Sequence, residues 1–297
     1  MGMHFADKVL KKVKKTSPIV VGIDPNLSLL PKALQPNTAE EVVPKLIQFS
    51  EVLMDATVAN VPAIKIQAAY FEQFGTIGVA AMSEVIKLAK ERDLLVIMDA
   101  KRGDIGSTST AYATAYLTGE TRLPNGETIT SDLSADALTI NPFMGDDSVL
   151  PFIEAATQKE KGLFILIRTS NPGASLIQEQ TQGDSDMSGH LAKWLTQLSN
   201  TQPMGSSGYS HLGAVVGATV SNIEELREAM PHAIFLSPGL GAQGGSIEAV
   251  RKCFKQGHEG AVIPISRGLY KSSSPDVSVS QYQDEIKESL ATYLSYF

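Results

Sequence analysis

Eight short apolar runs, separated by stretches of helical periodicity, constrain this chain more than any other feature. They are "IVVGID" (19–24), "AIKIQ" (63–67), "LLVIMDAK" (94–101), "ALTINP" (137–142), "LFILIRTS" (163–170), "GAVVGAT" (213–219), "AIFLSPG" (233–239) and "GAVIPIS" (260–266). A strand wet on one face alternates polar with apolar residues, so continuous apolar strands mean a parallel sheet covered by helices. Segments such as "AEEVVPKLIQFSEVLMDATV", "GVAAMSEVIKLAKERD", "NIEELREAM" and "SIEAVRKCFKQG" supply those helices. The pattern predicts an α/β chain folded as a (β/α)8 TIM barrel, a single domain over 1–297. "VSQYQDEIKESLATYLSYF" places Tyr282, Ile286, Leu290 and Tyr293 near one face and reads as the closing helix.

Two segments depart from the bare repeat. At 118–132, Asn125-Gly126 lies between Thr-rich arms and predicts a small inserted hairpin. At 171–211, two long loops flank a helix around Trp194. Both read as decorations on one barrel, and no linker divides the chain. At the other end, Phe5, Val9 and Val13 recur at helical spacing, with the neighbouring lysines on a solvated face.

Composition narrows the function. A formal charge of −7 argues against a nucleic-acid binder, which is usually basic. No apolar run approaches the ~18 residues of a membrane span, and the N-terminus lacks a signal-peptide core, so no membrane partner and a cytoplasmic location are expected. Cys253 is the only cysteine; it reads as a packed core thiol on a helix. His4, His190, His211, His232 and His258 are scattered without ligand spacing and read as surface or loop residues, so no metal site is expected.

In this fold, active sites open where the C-terminal ends of the strands meet their loops. Polar residues gather there: Asp24 on strand 1, Lys65 on strand 2, Asp99 and Lys101 on strand 3, Asn141 on strand 4, Arg168, Thr169 and Ser170 on strand 5. Residues two apart on a strand share a face, which pairs Asp99 with Lys101 and leaves Asp104 in the following turn. Lys65 lies inside an apolar strand, where an unpaired ammonium costs several kcal/mol, so it should meet Asp24 or Asp99. Arg102 points the other way and reads as a structural ion-pair partner. A lysine held between carboxylates stays protonated and can donate a proton to a developing carbanion. A fixed carboxylate can repel a substrate carboxylate, and loss of CO2 relieves that repulsion. Decarboxylation followed by protonation fits these residues without a redox cofactor, and no cofactor is expected.

The glycine-rich "SPGLGAQGGSIEAV" after strand 7, with Arg267 after strand 8, forms a phosphate cradle of backbone N–H groups plus one guanidinium. Gly239-Leu240-Gly241-Ala242-Gln243-Gly244 also matches a dinucleotide fingerprint, but no acidic residue ends a strand about 20 residues later, which argues against an NAD-dependent oxidoreductase.

"GIDP" (22–25), "IKIQ" (64–67), "DAKRGDIGST" (99–108), "NPFMG" (141–145), "TSNPGA" (169–174), "GLGAQGG" (239–245) and "SRGLY" (266–270) together resemble the orotidine 5′-phosphate decarboxylase family, in its longer bacterial branch. The resemblance implies decarboxylation of orotidine 5′-phosphate to UMP. Lys101 would protonate C6, Asp99 would face the departing carboxylate, and Lys65 and Asp24 would hold the ribose hydroxyls. Asp104 and Thr108 would act across a homodimer interface with shared active sites. Ser170 would contact the pyrimidine edge, and Gln243 and Arg267 would bind the phosphate with the backbone near Gly241 and Gly268. Two alternatives stay open: a Mg2+-dependent sugar-phosphate decarboxylase of the same barrel group, which places an acid on strand 2 where this chain has Lys65, and a non-catalytic nucleotide-phosphate binding protein.

Overall fold

The computed structural model describes residues 2–240, 245–255 and 258–297. Eight strands form a closed barrel: β1 (Ile19–Ile23), β2 (Ala63–Gln67), β3 (Leu95–Arg102), β4 (Ala137–Ile140), β5 (Gly162–Arg168), β6 (Leu212–Val216), β7 (Phe235–Leu236) and β8 (Ala261–Ile265). Each strand pairs in parallel with the next, and β8 returns to β1. All eight predicted runs are strands of this barrel. Strand β7 is shorter than its apolar run because Pro238 and Gly239 follow, and Gly239 turns the chain with a φ of +123°.

Alternation along each strand divides the core in two. Ile19, Val21, Ile23, Ile64, Ile66, Val96, Met98, Leu138 and Ile140 point outward into the layer shared with the helices. Helix α1 (Phe5–Lys15) precedes β1, and the helices of that layer include α2 (Val42–Thr57), α3 (Gly75–Glu91), α4 (Gly106–Ala113), α5 (Asp146–Gln158), α6 (Met187–Asn200), α7 (Ile223–Ala229), α8 (Ile247–Arg251) and α9 (Val279–Leu294). The closing helix α9 starts at a reciprocal Ser278–Gln281 cap and buries Tyr282, Ile286 and Leu290, as its spacing predicts.

Inward-facing Val20, Ala63, Leu95, Ile97, Phe164, Leu236 and Val262 form a second cluster with Phe5, Ala6, Val9, Leu10 and Val13 of α1. Helix α1 therefore plugs the amino end of the barrel. The Phe5 ring packs edge-on against Phe164 and occupies the space a Cβ at residue 162 would need, 2.1 Å away, which is why Gly162 opens β5. With that end closed by α1, the barrel opens at its carboxyl end.

The insertion at 118–132 is an antiparallel hairpin, Glu120–Arg122 against Thr128–Thr130, as predicted. The segment after β5 is more ordered than a pair of plain loops. It contains a short helix (Ser175–Gln178) and a two-residue antiparallel pair, Thr181–Gln182 with Ser185–Asp186. Two further expectations need correction. Helix α8 ends at Arg251, so Cys253 lies in the turn beyond it; its thiol is buried, donates to Ser237 Oγ at 3.1 Å, and is pushed up to about 11, mainly by burial. His211 is a core residue, 3 % exposed at the start of β6, because its ring packs against His4 and Thr157. Among the described residues, no helix is long and apolar enough to cross a membrane.

Candidate active site

A cavity of about 310 Å³ occupies the carboxyl end of the barrel, within the size range of small-molecule sites. It is lined by Asp24, Lys65, Asp99 and Lys101 from β1 to β3, by Thr169, Ser170 and Asn171 after β5, and by Gly239, Arg267 and Gly268 after β7 and β8. The barrel register explains the charged side. Gly22 lies beside Lys65, Lys65 beside Ile97, and Gln67 beside Asp99. Alternation then turns Lys65, Gln67 and Asp99 into the lumen while Ile64, Ile66 and Met98 face the helices.

Lys65 is 6 % exposed. Its Nζ lies 2.9 Å from Asp99 Oδ2 and 3.6 Å from Asp24 Oδ1. Burial favours the neutral amine, but the two carboxylates outweigh it and hold Lys65 above the usual lysine range. Lys101 Nζ donates to Asp99 Oδ1 at 2.6 Å. Burial alone would raise Asp99; the charges and hydrogen bonds of Lys65 and Lys101 reverse this and hold its carboxyl well below the usual range. The order around the rim is thus carboxylate, ammonium, carboxylate, ammonium. Among the described residues, Asp24 Oδ1 accepts no hydrogen bond; it is buried and faces the Lys65 ammonium.

Backbone geometry at Lys101 departs from the simple alternation expected of it. The strand register shifts between Met98 and Arg102, and Lys101 has a φ of +48°. Asp99 and Lys101 meet across this kink. Arg102 points away from the cavity, pairing with Glu72 and donating to Tyr116 Oη at 3.1 Å.

Arg267 is exposed at the mouth, and no ion pair joins it to another described residue. Gly239 is left-handed, and a Cβ at Gly245 would lie 2.6 Å from the Gly239 carbonyl oxygen, so the described ends of this loop require glycine. Gly241 and Gln243 lie outside the described residues. Asp104 and Thr108 do not line the cavity. Asp104 Oδ1 accepts from the Ile105 N–H at 2.8 Å, and Thr108 is exposed on α4. Two polar strand ends serve other purposes. Arg168 is buried, pairs with Glu179 and donates to Gln178, tying the following loop to β5; Asn141 caps the turn at Phe143.

Sequence reasoning missed Gln67 and Thr139. The Gln67 amide nitrogen, oriented by its hydrogen-bond partners, donates to Asp99 Oδ2 at 3.0 Å and to the Asp99 carbonyl at 2.7 Å. Thr139 Oγ1 donates to Asp99 Oδ1 at 3.0 Å and accepts from the Lys101 N–H at 2.9 Å. Period two was the available signal: Gln67 shares a face with Lys65, and Thr139 is the inward polar residue of "ALTI".

The model of the family described as "Orotidine 5'-phosphate decarboxylase / HUMPS family" matches residues 17–282. The chain belongs to this family. A Rhodopirellula baltica protein named orotidine 5′-phosphate decarboxylase is 39 % identical over 296 residues, covering 96 % of each chain. One of the same name from Caldicellulosiruptor saccharolyticus is 32 % identical over 308 residues, covering 99 % of this chain and all of that one. Among solved structures, the Leishmania donovani OMP decarboxylase is 30 % identical with a TM-score of 0.70, covering 97 % of this chain and 98 % of that one. The family's barrel and the charged rim occur here in one chain.

Proposed function

We infer that this chain decarboxylates orotidine 5′-phosphate to UMP without a cofactor. The observation that carries the mechanism is the Lys65–Asp99–Lys101 contact inside the cavity. Placing the substrate phosphate near Arg267, Gly268 and the Gly239–Gly245 loop brings the ribose to Asp24 and Lys65, and the pyrimidine carboxylate to Asp99. Two like charges ~4 Å apart repel by about 4 kcal/mol at an effective dielectric of ~20. Breaking the C6–CO2 bond removes that repulsion and leaves an electron pair on C6. Lys101 Nζ then gives its proton to C6, becomes a neutral amine and is reprotonated by solvent. Lys65 stays charged throughout and neutralises the two carboxylates that frame it. Ser170 contacts the pyrimidine edge in this reading.

The same proposal includes a homodimer in which Asp104 and Thr108 complete the partner's site. Ile105, Phe143, Met144 and Leu150 are exposed apolar side chains, Phe143 at 75 %. The two segments that carry them, the start of α4 and the approach to and first turns of α5, are joined where the Ser109 hydroxyl reaches both the Asp104 and the Ser148 carbonyls. An apolar surface beside Asp104 and Thr108 suits an interface that carries these residues to a second copy. The whole chain is taken as one barrel domain, with 118–132 and 171–211 as decorations. The cytoplasm is its proposed location, since its substrate and product are nucleotides.

The test follows loss of orotidine 5′-phosphate absorbance in the presence of EDTA. Turnover that survives the chelator and yields UMP supports the reading. Activity that vanishes with EDTA and returns with Mg2+, or tight UMP binding without turnover, would refute it.

A further inference from the structure

Four donors converge on the Asp99 carboxylate. Oδ2 takes Lys65 Nζ at 2.9 Å and the Gln67 amide at 3.0 Å; Oδ1 takes Lys101 Nζ at 2.6 Å and Thr139 Oγ1 at 3.0 Å. A carboxylate offers about four acceptor sites, so this one is saturated. The two ammonium groups explain its charge state. They do not explain why each oxygen also carries a neutral donor, or why Thr139 contacts the catalytic lysine as well.

The Thr139 hydroxyl occupies a position no charged group could hold. It donates to Oδ1, the oxygen Lys101 shares, and it accepts from the main-chain N–H of Lys101. That N–H belongs to a left-handed residue, a conformation unfavourable for a side chain with a Cβ. One hydroxyl therefore fixes two things at once: the orientation of the carboxylate and the kink that aims the proton donor. Thr139 is 1 % exposed and sits between apolar neighbours Leu138 and Ile140 in β4, so the hydroxyl has no solvent alternative.

The reaction proposed above makes this placement consequential. When C6 takes its proton, Lys101 becomes a neutral amine and Oδ1 loses its charged partner. The Thr139 hydroxyl stays on that oxygen. Gln67 does the same for Oδ2, where Lys65 remains charged.

We propose that Thr139, assisted by Gln67, is a positioning residue for the decarboxylation: its hydroxyl holds Asp99 Oδ1 and the Lys101 main chain in the reacting geometry while Lys101 discharges its proton. The inference rests on the functional reading of the preceding subsection and acts through Asp99 and Lys101, not on the substrate. UMP lacks the carboxylate that Asp99 faces and requires no proton, so its binding depends less on this geometry than turnover does.

Thr139→Val removes the hydroxyl at nearly constant volume; Thr139→Ser keeps it. The expected result is a kcat ~10- to 100-fold lower in Thr139→Val, the scale set by small misplacements of reacting groups. UMP Kd stays within about threefold, as expected for a role confined to the reacting geometry, and Thr139→Ser regains most of the rate. Parental kcat in Thr139→Val would overturn the proposal. So would a loss of UMP affinity matching the loss of rate, which marks a structural role, or a Thr139→Ser variant as slow as Thr139→Val. Gln67→Leu is the second variant if Thr139→Val does not fold; it should lower kcat by roughly three- to tenfold with UMP affinity kept, in line with loss of one neutral donor, and unchanged kcat counts against the idea. The parent chain separates the two levels. Failure of the parent to form UMP defeats the functional reading, whereas an active parent with an indifferent Thr139→Val defeats only this inference.

Discussion

Replacing Lys65 with methionine removes the central charge of the rim at little cost in volume. Asp24 and Asp99 then face one cavity with Lys101 still paired to Asp99, and Asp99 keeps its Thr139 and Gln67 donors. Breaking a buried ion pair from one side costs about 3–5 kcal/mol, because the abandoned charge stays desolvated. The remaining donors on Asp99 favour the lower end, so we expect about 3 kcal/mol at pH 7. With a urea m-value of ~3 kcal/mol/M, the midpoint falls by about 1 M. The pH dependence has a definite sign. In the parent, the lowered Asp99 pKa contributes stability that is present above the unfolded carboxylate value of about 3.9 and is lost as pH falls through the folded value. Removing Lys65 takes away the leading cause of that lowering. The stability gap between parent and Lys65→Met should therefore narrow as pH drops below about 4. Urea titrations of both proteins at pH 7.5 and about pH 3, without ligand, measure it. A gap below about 1 kcal/mol at pH 7.5, or one that does not narrow, would refute the assignment of Lys65 as the neutralising charge of a desolvated site.

Three further outcomes are expected. Lys101→Ala should lower kcat by at least ~10²- to 10⁴-fold, the range for a positioned general acid, while isothermal titration still detects UMP binding. Mixing inactive Lys101→Ala with inactive Asp104→Ala subunits should restore part of the activity through hybrid dimers with one intact site; no recovery after demonstrated subunit exchange counts against Asp104 acting in trans. Burial, reinforced by the neighbouring His4, lowers His211 to about 4, so the folded chain prefers the neutral ring. Its contribution, up to about 3 kcal/mol, is present above the unfolded value of about 6.5 and is lost as pH falls toward 4; denaturation of His211→Gln should show a flatter acid limb across that window.

Much of the fold was legible because periodicity is a local property. The eight apolar runs became eight strands, Phe5, Val9 and Val13 became the buried face of α1, and the Asn125-Gly126 signal became a hairpin. Lys65 was legible for a different reason: a charge inside an apolar strand has to be compensated. Gln67 and Thr139 were legible only as lumen-facing positions, since an uncharged polar residue in a strand imposes no comparable demand for a partner. The left-handed backbone at Lys101 was hidden too, because it comes from a register shift between β3 and β4 and from a hydroxyl on another strand. Arg168 was misleading on position alone. It ends β5 as a site residue would, but Glu179 draws it toward the following loop.

The sequence by itself determined which residues face the lumen, since side chains alternate along a strand whatever surrounds it. It also determined the family, through motifs spread from Gly22 to Tyr270. Only the tertiary structure decided which lumen residues touch. Closing the barrel sets the relative height of neighbouring strands, bringing Lys65, Asp99, Lys101 and Thr139 from three strands to one level. Hydrogen bonds of about 3 Å depend on that height, and no single strand encodes it.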